Sequence, residues 1–375
     1  MRDNILKPQD ESSGEQWLTY GNQLYRIGKL SDAAAAFNKA IAKGKKYKLL
    51  GNYGKALALW GADNVQALKA ISTAISVVPV SDRAKYYYLW RYQCAIFRTL
   101  DKNADAMRSI DIAIKLEPND LALLNEKAQI FSNKKQYREA ISIYDLITSR
   151  QPEASIYYNR GIVKSKLGQK QAAIADYDRA IAINPNFIKA HINRGNTKSE
   201  LGQKQAAIID YDRAIAINPK YADAYYNRGN AKYELGQKQA AIIDYDQAIA
   251  VNPKHDSAYF NRGIVKSELG QKQAAIADYD RAIVINPNYD NAYVNRGNAK
   301  YELGQKQAAI ADYDQAIMIN PNYADAYNNR GIAKSSLGQK QAAIVDLTKA
   351  AELFRQQGKM DLYELVIGLI QKIKG

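Results

Sequence analysis

Apolar and polar positions along Ala222–Pro253 follow a helical period twice. The first run extends from about Ala222 to Leu235 and is broken by "LGQ", where Gly236 can take the left-handed conformation that ends helices. The second runs from about Lys238 to Val251 and stops at "NP", because Pro253 disfavours a helical Asn252. The stretch therefore predicts a helical hairpin with a short turn. Lightly edited copies of it begin at Asn159, Asn193, Asn227, Asn261, Asn295 and Asn329, each 34 residues from the last. A fixed period of this length marks a repeat array. Such an array grows by stacking, so the length of 375 residues does not count globular domains.

Small residues fall where the two helices of a hairpin must meet. Gly229 lies in the first helix, Ala241 and Ala248 in the second, and Tyr225 and Tyr245 fill the space between. Glycine in a helix interior costs about 1 kcal/mol against alanine. Its return at Gly161, Gly195, Gly229, Gly263, Gly297 and Gly331 says that close contact outweighs that cost.

The order Tyr225, Gly229, Leu235-Gly236, Ala241, Tyr245, Ala248, Pro253 resembles the tetratricopeptide repeat (TPR). Degenerate copies precede the six clean ones. Trp17, Gly21, Ala33, Phe37 and Ala40 make a first; Ala67, Ile71, Ala74 and Pro79 the second half of another. Trp90, Cys94, Phe97, Ala106, Ile110, Ala113 and Pro118 make a third, and Leu124, Ala128, Phe131, Tyr137, Ala140, Tyr144 and Pro152 a fourth. The first helix of the second copy, at "LLGNYGKALALWGADN", fits the pattern poorly. The resemblance implies an all-α fold, a right-handed α-solenoid of about nine helix-turn-helix hairpins. The expected organisation is a flexible tail over 1–13, degenerate repeats over 14–153, six near-identical repeats over 154–357 and a C-terminal capping helix over 358–375. Leu362, Leu365, Val366, Leu369 and Ile373 are expected on the inner face of that last helix, with a polar outer side.

The clean copies depart from the family pattern. Arg228 stands where TPRs usually carry Leu, and Lys232 and Lys238 where they usually carry Tyr. At about 100° per residue, Arg228 and Lys232 point into the hairpin. An unpaired charge there would be costly. Asp244 is the expected partner, giving a repeating Arg/Lys–Asp ladder between helices.

On the first helix, Asp223, Asn227, Asn230 and Glu234 lie at about 0°, 40°, −20° and 20°, one stripe opposite the expected core. The resemblance implies that first helices line a concave groove. Stacking would then set Asn159, Asn193, Asn227, Asn261, Asn295 and Asn329 in a row along it. An amide offers two donors and an acceptor, which suits the backbone of an extended peptide. The row is similar to the asparagine series of the O-linked N-acetylglucosamine transferase TPR domain. Alternatively, each Asn caps or bridges neighbouring hairpins. Side walls vary between copies: Tyr158, Ile192, Tyr226, Phe260, Val294, Asn328 in one series; Ile162, Asn196, Asn230, Ile264, Asn298, Ile332 in a second; Ser165, Ser199, Tyr233, Ser267, Tyr301, Ser335 in a third. Candidate partner-binding residues are therefore the six asparagines of the row with Asn196, Asn230, Asn298, Tyr226, Phe260, Tyr233 and Tyr301. Glu200, Glu234, Glu268 and Glu302 make that side acidic and argue against a clamp for an acidic peptide tail.

Composition changes the picture little. The net charge of +15 raises the question of nucleic acid, and Lys170, Lys204, Lys238, Lys272, Lys306 and Lys340 would form a basic ridge. The excess is spread evenly, +7 over residues 1–153 and +8 over 154–375. One Cys, no apolar run long enough for a membrane span, and an opening without the apolar core of a signal peptide favour the cytoplasm. His191 and His255 are single and lie in different copies, and no phosphate loop, metal-ligand spacing or nucleophile elbow is visible. The expectation is a non-enzymatic scaffold that binds protein or peptide segments and carries no cofactor. RNA or single-stranded DNA binding is the alternative, and self-association is open.

Overall fold

The computed structural model describes residues 6–375; residues 1–5 of the expected tail lie outside them. The described residues form helices and no strands, and they divide into two compact units at 183/184.

The first unit stacks five helical hairpins: α1 (Gly14–Arg26) with α2 (Leu30–Ala42), α3 (Lys48–Leu59) with α4 (Asn64–Ser76), α5 (Tyr88–Thr99) with α6 (Asn103–Leu116), α7 (Leu121–Asn133) with α8 (Tyr137–Arg150), and α9 (Ala154–Lys166) with α10 (Lys170–Ile183). The second unit stacks five more: α11 (Ile188–Glu200) with α12 (Lys204–Ile217), α13 (Ala222–Glu234) with α14 (Lys238–Val251), α15 (Asp256–Glu268) with α16 (Lys272–Ile285), α17 (Asp290–Glu302) with α18 (Lys306–Ile319), and α19 (Ala324–Ser335) with α20 (Lys340–Gln356). A single helix, α21 (Met360–Lys374), follows. Among the described residues the hairpins number ten, against the expected nine or so, because α3 forms in full. It packs on the preceding hairpin with its own glycines: a Cβ on Gly54 would lie 2.6 Å from Phe37, and one on Gly51 2.6 Å from Ile41.

The hairpin turn is set by local chemistry. Gly236 has φ +76°, its N–H bonds Tyr233 O at 2.8 Å, and Gln237 N–H reaches back to Lys232 O at 2.9 Å. Both bonds satisfy carbonyls left open at the end of α13. Inside the hairpin, a Cβ on Gly229 would lie 2.8 Å from the Tyr245 ring, so glycine is the residue that lets the ring sit there. Ala241, Tyr245 and Ala248 are buried beside it.

α21 departs from expectation. Val366, Ile370 and Ile373 make its buried face, at about 0°, 40° and −20° around the axis. Leu365 sits about 100° away and is 69% exposed, and Leu362 is exposed too. The outer side of this helix is thus part apolar.

Candidate functional site

Arg228 and Lys232 point into the hairpin and meet Asp244, which is 1% exposed. Arg228 Nε donates to Asp244 Oδ2 at 3.0 Å, its Nη2 bonds Oδ1, and Lys232 Nζ lies 2.8 Å from Oδ2. The same trio recurs at Arg160, Lys164 and Asp176, and at Arg296, Lys300 and Asp312. The guanidinium also lies over Tyr225, 5.5 Å from the ring centre. Its remaining nitrogen reaches Asp212 of the preceding hairpin at 2.6 Å. Burial alone would lower the Arg228 pKa; hydrogen bonds and charges from Asp244 and Asp212 outweigh it and hold the group above its ordinary value. Each such arginine thus ties two hairpins together, and Asp246 serves Arg262 of the next hairpin in the same way. These charges are consumed by the fold.

The asparagine stripe is not free-standing either. Tyr245 Oη donates to Asn230 Oδ1 at 2.8 Å, and Asn261 of the next hairpin donates to that oxygen at 2.9 Å and to Tyr226 Oη at 3.1 Å. Asn196 accepts likewise from Tyr211 and Asn227, and Asn298 from Tyr313 and Asn329. Where Ile264 replaces the accepting asparagine, Asn295 turns to its own helix and donates to Asn291 O at 3.0 Å. Asn159 and Asn193 are half-buried on α9 and α11. The helical angles treated one hairpin alone; stacking buries a second side of the first helix, and the row lies at that seam.

The side-wall aromatics occupy the same seams. Tyr226 lies 4.8 Å from the His255 ring, and Phe260 4.7 Å from Tyr289. Tyr301 packs in the cluster around Tyr313. Tyr233 donates to Glu268 of the next hairpin; that carboxylate, and then burial, push its phenol up to about 12. Three lysines of the ridge are spent in the same direction. Lys204 pairs with Glu234, Lys238 with Glu268 at 3.1 Å, and Lys272 with Glu302 at 2.6 Å.

Unspent polar capacity lies in the first unit. Asn125, Gln129 and Asn133 sit at i, i+4 and i+8 on α7, one face of one helix. The Asn125 Oδ1 is buried and has no partner. Asn125 lines two hollows of about 490 and 670 Å³. Trp60, Arg98 and Gln129 line the larger. Among the described residues Arg98 has no ion-pair partner, while nearby Glu126 is taken by Arg91. The sequence reading missed this row. Its signal, three amides at four-residue spacing, was present, but the copy is degenerate and its helices are offset by 33 residues from the next.

His191 is buried, with Nε2 donating to Pro185 O at 3.0 Å. His255 caps α15, its Nδ1 accepting from Ala258 N–H. Burial pushes the Cys94 thiol up to about 12. No cluster among the described residues is arranged to hold a metal ion, and no described helix is long and apolar enough to cross a membrane.

Stacked two-helix repeats of this kind define a protein-interaction scaffold. Family models described as tetratricopeptide repeat match residues 154–187, 176–209, 222–255, 244–277 and 324–357, and one described as TPR repeat matches 195–236, 267–304 and 297–338. Together they cover 154–357, more than half of the chain, and the chain belongs to the tetratricopeptide repeat family. No curated protein matches it. Among solved structures, a tetratricopeptide repeat protein from Parabacteroides merdae is 23% identical, with 66% of this chain and 98% of that one covered and a TM-score of 0.51. The C-terminal part of a TPR repeat-containing protein from Cytophaga hutchinsonii is 16% identical, with 64% and 98% covered and a TM-score of 0.53. Both are likenesses of fold. MamA protein is 29% identical over 46% of this chain and 93% of its own, with a TM-score of 0.42.

Proposed function

We propose that this chain is a non-enzymatic scaffold that holds an extended protein segment against the first helices of its hairpins. The observation that carries the reading is the amide row Asn125, Gln129, Asn133, with a buried carbonyl oxygen that nothing among the described residues satisfies. A buried unpaired acceptor costs about 1–3 kcal/mol, so a ligand N–H is worth most there. Four helical residues rise about 6 Å, close to the roughly 6.6 Å that two extended residues span, so successive amides can meet successive peptide groups. Trp60 supplies an apolar wall and Arg98 a cation for an acidic side chain. In the second unit, Asn227 donates once across the seam and Asn261 twice, leaving carbonyl oxygens for the same role. The nucleic-acid alternative has less support, because three of its lysines pair with Glu234, Glu268 and Glu302.

The test is selection of peptides from a random displayed library against the full chain, followed by affinity measurement on the Asn125→Ala/Gln129→Ala/Asn133→Ala variant, with circular dichroism as fold control. Three lost hydrogen bonds of about 0.5–1.5 kcal/mol should weaken binding at least roughly tenfold. Unchanged affinity on an intact fold refutes the site. Binding of single-stranded nucleic acid that weakens steeply with salt would favour the alternative.

A further inference from the structure

The outer face of α21 has features that its packing on the preceding helices does not use. Glu364, Gly368 and Lys372 lie at i, i+4 and i+8, one row on the side away from Val366, Ile370 and Ile373. Leu365 and Leu369 flank the row, and with Asp361 these residues line a shallow hollow of about 670 Å³. Glycine is a poor choice inside a helix unless something must come close to it. A Cβ on Gly368 would meet nothing within 4 Å in this chain, unlike the glycines inside the hairpins. The closeness it permits is to something outside the chain.

We propose that this face binds the same face of a second copy, the two α21 helices crossing antiparallel at Gly368. The charges are arranged for that occupant. Glu364 and Lys372 stand four residues on either side of Gly368, about 6 Å along the axis in opposite directions and about 40° to opposite sides. A two-fold axis through Gly368 therefore brings Glu364 of each copy onto Lys372 of the other, twice per dimer. Such a self-complementary patch is what a two-fold interface requires. A parallel pairing would set like charges together. Gly368 lets the helix backbones approach at the crossing, and Leu365 and Leu369 are covered beside it. The pairs sit at a rim open to water, so they fix register and orientation more than they add affinity. One helix pair is a small interface, and a weak, concentration-dependent dimer is expected.

The measurement is sedimentation velocity of the full chain over a concentration series, with circular dichroism as fold control. Wild type should pass from monomer to dimer with rising concentration. Glu364→Lys alone and Lys372→Glu alone should each weaken the dimer roughly tenfold or more, because each sets like charges opposite one another. The double variant Glu364→Lys/Lys372→Glu should regain dimerisation. Mixing the two single variants should produce a heterodimer that neither forms alone. A chain monomeric at every concentration, or a dimer indifferent to both single substitutions, overturns the proposal. A dimer weakened by the singles but not regained by swap or mixing overturns the antiparallel register.

Discussion

Asn261 donates to Asn230 Oδ1 at 2.9 Å across the seam between two consecutive hairpins. The oxygen it uses also accepts from the buried Tyr245 hydroxyl at 2.8 Å. One amide therefore satisfies a core phenol and fastens the next repeat.

Replacing Asn230 by Ile should lower stability by about 1–3 kcal/mol, because the Tyr245 hydroxyl loses its acceptor in a buried site. The chain itself suggests a compensation. Beside Ile264, Ser267 stands at the position Tyr233 occupies, and its hydroxyl acts on the Tyr279 phenol, lowering its pKa against the larger effect of burial. Adding Tyr233→Ser to Asn230→Ile should recover part of the loss. Urea denaturation of the two variants checks this; an equal loss in both would mean that the serine does not serve the phenol.

Asp244→Ala should cost about 3–5 kcal/mol, because it strands Arg228 and Lys232 with their charges largely out of water. Asp246→Ala, whose side chain is about half exposed, should cost less than about 1 kcal/mol. Chemical denaturation of the pair separates the buried tie from the outer one. Similar losses would contradict the assignment.

Gly229→Leu should destabilise by about 1–3 kcal/mol through overpacking against Tyr245. Adding Tyr245→Leu should leave most of the loss in place, because a Cβ on Gly331 would still lie 2.8 Å from Leu347, the matching residue of the last hairpin. Thermal melts of the single and double variants give the comparison.

His191 carries a pH dependence. Burial, its largest influence, lowers its pKa; the bond to Pro185 O opposes this, and its Nδ1 is buried without a partner. A depressed pKa means that the unfolded chain takes up the proton first as pH falls. The stability is therefore complete above about 6.5 and is lost as pH falls through the folded value. His191→Tyr, the residue at the matching Tyr225, should gain on wild type at pH 5 relative to pH 8. A constant difference across that range would show that His191 does not titrate with folding.

Much of the fold was legible because each repeat states its contacts in residue size: the meeting of Gly229 with Tyr245 and of Arg228 with Asp244 follows from spacing within one hairpin. The contacts to Asp212 and Asn196 were not legible, because they depend on how one hairpin sits on the last. That also bears on the asparagine row, for which the spacing allows both a groove and a bridge between hairpins: Asn227, Asn261 and Asn329 bond across the seam. The α7 amides escaped notice for another reason: in a degenerate copy no repetition singles out a position. Leu365 was assigned to the wrong side of α21 because its face was drawn too wide.

Within the second unit, one joint lacks a link that its neighbours have. Between the Ile264 and Asn295 hairpins the amide link is absent, while Arg296 still reaches Asp280. In a row of units held only by nearest neighbours, the least coupled joint decides where the row parts. Peeling from the C-terminal end would therefore pause there, releasing α17 to α21 as one block. Backbone amides along that block should exchange hydrogen together, ahead of those in α13 to α16. A row of near-identical copies thereby acquires a built-in breakpoint from a single Asn-to-Ile difference.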